Sequence, residues 1–185
     1  MGSEDLEVGC LEVVDQAVVG NNLKNYMEIK DKELHRIAMT AIIYNKERKY
    51  LVTKRSMHKK HFPGLWTVPG GGLNVDDYMN LPTNGGENQW YYSLTHGLKR
   101  EIREEVGVEV GKPEYLLDLT FIKGDGVPVL VLSYYAEYLT GDVVLDEDAT
   151  EYKWVSVEEL KDLELIKGID HEIEMVDEIL KSRGM

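Results

Sequence analysis

A single cysteine, Cys10, stands in the 185 residues of the chain, so neither an intramolecular disulfide nor a cysteine-built zinc site is open to it. Positive charge is scarce too: 21 Lys and Arg are set against 34 Asp and Glu, a formal net charge of -13. That balance argues against a broad interface with nucleic acid or with an anionic membrane surface. No uninterrupted apolar stretch is long enough for a secretory signal or a membrane span, and the first residues, Met1 to Glu7, are acidic rather than basic. Internal repeats and low-complexity tracts are missing as well. A cytoplasmic protein is the expectation, and 185 residues suffice for one domain with a sizeable core.

The apolar pattern predicts alternating strands and helices. Leu11 to Val19 reads as a first strand turning at Gly20-Asn21-Asn22, followed by a polar segment from Leu23 to Leu34. Ile37 to Tyr44 and Tyr50 to Arg55 read as a hairpin about Lys46-Glu47-Arg48. Tyr115 to Ile122 and Val127 to Leu139 form strands about Gly124-Asp125-Gly126, and Tyr152 to Val155 is the last strand. Helical spacing runs from Gln89 to Val106, with Tyr91, Leu98, Ile102 and Val106 inward and Gly107 closing the helix. A second amphipathic helix covers Ile169 to Leu180, and Ser156 is placed to cap the short stretch Val157 to Leu160. Between these elements Leu73 to Glu87, rich in Asn, Asp, Gly and Pro, reads as a long loop.

Three stretches carry candidate chemistry. Lys99 to Val108 sets Glu101, Glu104 and Glu105 within about 100° of one another around a helix. Carboxylates so placed repel unless something positive sits among them, which leaves a salt-bridged surface helix or a site for a hard divalent cation. Lys54, Arg55, His58, Lys59, Lys60 and His61 reverse the sign of the chain locally, as a phosphate-attracting rim or a solvated loop would. Pro69-Gly70-Gly71-Gly72 lets backbone approach a ligand closely.

Pro69-Gly70-Gly71-Gly72 followed by Arg100-Glu101-Ile102-Arg103-Glu104-Glu105-Val106-Gly107-Val108 resembles the Nudix hydrolase family. That family's box runs glycine, five residues, glutamate, seven residues, then Arg-Glu, an aliphatic residue, any residue, Glu-Glu, any residue, glycine and an aliphatic residue. The second half matches at every fixed position; the first does not. Counted forward from Gly71 the first glutamate's place falls on Asp77, and counted back from Arg100 it falls on Tyr92, with Glu87 between. An insertion before the helix, within 73–87, accounts for the mismatch and leaves Asp77, Glu87 or neither in that role. The likeness extends through Phe62-Pro63-Gly64-Leu65-Trp66 and Tyr152 to Leu160, roughly Leu34 to Leu160.

The resemblance implies an α/β (α+β) fold, an α/β/α sandwich with a mixed sheet. It makes 1–185 a single Nudix-like domain, with 1–33 an N-terminal extension and 161–185 a C-terminal helix. It implies Mg²⁺-assisted hydrolysis of a pyrophosphate linkage in a nucleoside diphosphate derivative, with Mn²⁺ as an alternative ion. Glu101, Glu104, Glu105 and the carbonyl of Gly70 match the metal ligands, and Arg100 matches the arginine that positions a box glutamate. Lys54 and Arg55 are candidates for non-reacting phosphate oxygens; the general base is Glu104 or a carboxylate between Asp146 and Glu151. Dimers are frequent in the family, which leaves a homodimer open. A nucleotide-sugar-sensing Nudix domain without turnover is one alternative. An enzyme like isopentenyl-diphosphate isomerase is another, although Cys10 lies well upstream of where its active-site cysteine belongs.

Overall fold

A computed structural model describes residues 32–185. The expected strand Leu11 to Val19, its turn, most of the polar segment after it, and Cys10 lie outside the described residues. The strands are β1 (Arg36–Tyr44), β2 (Tyr50–Arg55), β3 (Trp66–Thr67), β4 (Gly70–Gly72), β5 (Glu109–Val110), β6 (Glu114–Ile122), β7 (Pro128–Thr140) and β8 (Ala149–Val155). The helices are α1 (Asp76–Met79), α2 (Ser93–Val106) and α3 (Ile169–Ser182), with a 3₁₀ helix at Val157–Asp162.

The sheet is mixed. β1 runs parallel to β7 along its whole length, from Arg36 opposite Val129 to Tyr44 opposite Glu137. It is antiparallel to β4 on its other side and meets β2 at Tyr44 and Tyr50. β2 in turn carries β8 and, near its end, β3. A parallel centre covered on both faces requires a strand apolar in every position, and Met39 to Tyr44 supplies one, broken only by Thr40. Met39, Ala41 and Ile43 pack with Leu98, Ile102 and Val106 of α2. The alternate residues Ile42 and Tyr44, with Val52 of β2, pack with Ile173, Val176 and Leu180 of α3. The result is the layered α/β/α arrangement expected, with one helix on each face of the sheet.

Both ends of α2 matter for the site. Its C-terminus closes as expected at Gly107, left-handed at φ 70, whose N–H donates to Arg103 O at 3.1 Å. Its N-terminus begins at Ser93, not Gln89. Upstream backbone is engaged in a folded loop instead: the Tyr91 N–H donates to Asn84 Oδ1 at 2.7 Å, and Tyr92 is left-handed at φ 65. Tyr91 is therefore exposed and not on the core side. The Trp90 indole N–H donates to Leu81 O at 2.9 Å and its ring lies against Tyr78, so that side chain holds the loop together. The stretch expected to be a loop throughout also contains the short helix α1. Ser156 caps the 3₁₀ helix reciprocally with Glu159, as the sequence predicts, although the turn that follows is tighter than an α-helix.

The α3 layer is held by fully buried aliphatic side chains remote from the glutamates of α2. Replacing Ile173 by Ala is expected to cost about 2–4 kcal/mol in denaturant unfolding through the cavity it leaves. A loss under about 0.5 kcal/mol would mean that α3 is not packed as described.

Candidate active site

Arg100 organises the acidic end of the site. Its Nε donates to Asp77 Oδ1 at 2.5 Å and its Nη2 to Asp77 Oδ2 at 3.2 Å, a two-point grip on a carboxylate whose side chain is 1% exposed. The same guanidinium donates through Nη1 to Glu104 Oε2 at 2.8 Å and through Nη2 to Glu101 Oε1 at 2.9 Å and Gly72 O at 3.2 Å. One cation thus ties α1, β4 and two glutamates of α2. The Arg100 hydrogen bonds hold the Asp77 carboxyl below the usual carboxylate range, and Asp77 raises Arg100 in return. Asp77 also accepts from the Asn74 N–H at 2.7 Å, which fixes the start of α1.

Of the two acidic residues left open for the first acidic position of the box, only Asp77 contacts Arg100. Asp77 stands opposite Arg100, while Glu87 is exposed within the folded loop. The extra residues therefore lie between Asp77 and α2, at 78–92, rather than at 73–87, because the register from Gly71 to Asp77 is intact.

Glu105 points the other way. Its Oε2 accepts from the Gly70 N–H at 2.8 Å, and among the described residues no Lys or Arg lies within ion-pair distance of it. Burial pushes its carboxyl up to about 7; the Gly70 N–H and the more distant charge of Arg55 oppose that shift, and the charges of Glu101 and Asp146 add to it. Burial also raises Glu101, against the pull of Arg100. Gly71 is needed where it stands, because a Cβ there would lie 2.2 Å from the Glu101 carboxyl carbon.

A small cleft beside Glu105 is lined by Thr53, Arg55, Thr67, Gly70, Asp146 and Asp148. The loop carrying Asp146 runs along the end of α2, with the Asp146 N–H on Glu105 O at 3.3 Å and the Val144 N–H on Val106 O at 3.0 Å. Arg55 thus faces Glu105, and its Nε is fixed on His61 O at 3.0 Å. Lys54, its neighbour in the strand, faces the opposite side of the sheet: it stands over Trp66 of the α3-side core and pairs with Glu151 at 2.8 Å. Lys54 and Glu151 are therefore removed from the glutamates of α2, Lys59 is paired with Asp148, and His58, Lys60 and His61 are exposed. Thr53 and Thr67 were not singled out in the sequence; only the alternation along β2 and β3 puts them in the cleft.

The residues suit a hard divalent cation in chemistry more than in present arrangement. Among the described residues no three acidic or histidine side chains already converge on a cation-sized point. Glu101 and Glu104 are turned onto Arg100, and Glu105 onto Gly70. A buried carboxylate without a counter-ion is what a cation would relieve.

The raised Glu105 has a consequence for the metal-free protein. Between the unfolded glutamate value and about 7 the folded state binds more protons, so unfolding free energy falls as pH rises through that window. Glu105→Gln is expected to flatten this part of the stability–pH curve and to raise the melting temperature in EDTA above pH 7. An unchanged curve would contradict a buried carboxylate with no ion-pair partner.

Several known proteins are similar to this chain. The chain is 29% identical over 141 residues to a nucleoside triphosphatase NudI of Klebsiella pneumoniae, covering 71% of this chain and 89% of the relative. It is 24% identical over 160 residues to an isopentenyl-diphosphate Delta-isomerase of Escherichia coli, covering 84% and 78%. The crystal structure of a MutT protein from Methanosarcina mazei superposes with a TM-score of 0.62 at 25% identity, over 82% of this chain and 99% of that one. The NUDIX domain pattern matches residues 34–174, most of the chain, and with the Arg100 cluster in place the chain belongs to the Nudix family, as a pyrophosphohydrolase of that family.

Proposed function

We propose that the protein is a Mg²⁺-dependent hydrolase that cleaves the pyrophosphate linkage of a nucleoside diphosphate derivative. The observation that carries this reading is the buried Glu105 carboxylate, without a cationic partner among the described residues, one helical turn from Glu101 and next to Glu104. Glu101, Glu104, Glu105 and the carbonyl of Gly70 would hold the cation, with Mn²⁺ as an alternative. When bound, the cation supplies charge neutralisation for the diphosphate and acidity for the attacking water.

The chain's own groups do the rest. Arg100, gripped by Asp77, limits the positions Glu101 and Glu104 can take. Arg55 presents a guanidinium on the Glu105 side of the sheet, where it can hold non-reacting phosphate oxygens. Lys54 faces away, so we assign that contact to Arg55 alone. Asp146, next to Glu105 in the cleft, joins Glu104 as a candidate to take the proton of the attacking water; Glu151 is on the wrong face and Asp148 is paired with Lys59.

The relatives set the substrates to test. Nucleoside triphosphates follow from the NudI likeness; nucleotide sugars, ADP-ribose and dinucleotides cover the remaining classes. Isopentenyl diphosphate is the control arm for the isomerase likeness, which the absence of cysteine from residues 34–174 disfavours. A product-resolved screen with Mg²⁺ or Mn²⁺ is expected to release phosphate, pyrophosphate or a nucleoside monophosphate from one of these classes. Glu104→Gln is expected to lower kcat by roughly a hundredfold or more with an unchanged melting temperature. Full turnover by that variant would overturn the assignment, and binding without turnover across the panel would fit the sensing reading instead.

A further inference from the structure

A second cleft is larger than the one beside Glu105. It holds about 450 Å³ and lies on the other side of the same loop, walled by Tyr138, Tyr152 and Trp154, with Asn45, Lys46 and Asp142 at its edge. We infer that this aromatic cleft seats the nucleobase of a nucleotide whose phosphates lie at Arg55 and Glu105. The inference rests on the nucleoside diphosphate reading given above.

Three observations carry it. The first is the composition of the walls. The rings of Tyr138 and Trp154 meet edge to face, with centroids 5.3 Å apart and planes at 75°. Tyr138 is held by its hydroxyl on Gly141 O at 2.6 Å. Tyr152 is 44% exposed, and its hydroxyl makes no hydrogen bond among the described residues. Fixed rings with an open face are what a heteroaromatic base stacks on.

The second is the polar edge. Asn45 spends its side-chain oxygen on the Glu47 and Lys49 N–H groups, at 3.0 and 2.9 Å, which leaves its amide nitrogen free to donate. Among the described residues the Lys46 ammonium and the Asp142 carboxylate have no ion-pair partner. Two donors and an acceptor beside aromatic rings match the mixed edge of a base better than they match a lipid or an aliphatic chain.

The third is position. Tyr152 of β8 is the direct cross-strand partner of Thr53 of β2, so their side chains emerge on one face of the sheet as neighbours. Thr53 lines the Glu105 cleft and Tyr152 the aromatic one. Asp142 and Asp146 are likewise on one loop, the first lining the aromatic cleft and the second lining that beside Glu105. The two clefts are therefore neighbours, joined by one cross-strand pair and one loop, so a single nucleotide can reach from one to the other.

The test uses the whole protein and has a readout besides turnover. Adenosine, guanosine, uridine and cytidine 5′-diphosphates are titrated in EDTA while backbone and tryptophan indole NMR signals are followed. At least one is expected to give saturable shifts at Tyr138, Tyr152 and Trp154. Tyr152→Ala should weaken that nucleotide roughly tenfold, whereas Tyr152→Phe, which keeps the ring, should bind as the parent does. In turnover, the loss should appear mainly in KM. Shifts clustered elsewhere, no saturable shift at about 10 mM nucleotide, or parental affinity in Tyr152→Ala would each overturn the inference. If the nucleotides bind here but no substrate in the panel is hydrolysed, the hydrolase reading fails and the aromatic cleft stands.

Discussion

The structure around the site depends on the grip of Asp77 on Arg100. A guanidinium has five donors in a fixed plane, and Arg100 distributes them over Asp77, Glu101, Glu104 and the Gly72 carbonyl. Three carboxylates about one cation would leave Arg100 mobile between them if all were exposed. Asp77 prevents this because it is buried and also bound to the Asn74 backbone, so the two-point contact is fixed in direction as well as in charge. The side of Arg100 left for Glu101 and Glu104 is then determined. Glu105, one residue beyond the reach of that network, is kept on the Gly70 backbone instead, and burial outweighs the help it receives from that N–H and from the charge of Arg55. Neighbouring glutamates of one helix thus stand in different electrostatic surroundings, one set on a guanidinium and one on a backbone N–H.

The two faces of the sheet separate structural work from the site. Ile42, Tyr44 and Val52 take the α3 face, where Tyr50 also donates its hydroxyl to the buried Asp177 at 2.9 Å. Met39, Ala41 and Ile43 take the α2 face and set the height at which the glutamates stand over β4. Because side chains alternate along a strand, Thr53 and Arg55 reach the Glu105 cleft while Lys54, between them, cannot. The loop 141–148 then serves both clefts: its backbone is tied to Glu105 and Val106, and its side chains divide between the Glu105 side and the aromatic side.

Much of this was legible in the residues. The continuous apolar run through β1, the hairpin about residues 46–48, the strands either side of Gly124 to Gly126, and the left-handed close at Gly107 all follow from local pattern, which is why they appear where the sequence places them. The start of α2 did not follow. Helical spacing continues back to Gln89, but Asn84 competes for the Tyr91 N–H and Trp90 for the Leu81 carbonyl, contacts seven and nine residues away that no local pattern encodes. The facing of Lys54 and Arg55 was implicit in the period of a strand, yet reading them as a basic pair hides it. Whether Asp77 or Glu87 partners Arg100 depends on how the inserted residues fold, and counting alone cannot decide it. The aromatic cleft draws on β1's end, β7 and β8, three segments far apart in the chain, and so left no sequence signature.

The most direct test of this account is the affinity of the protein for Mn²⁺, measured by calorimetry, when Asp77 is replaced by Asn. With its anchor gone, Arg100 turns its donors on Glu101 and Glu104 and competes with the incoming cation, so affinity should fall roughly tenfold, while Glu87→Gln leaves it as it was. Equal affinities for the parent and Asp77→Asn, or a loss confined to Glu87→Gln, would contradict it.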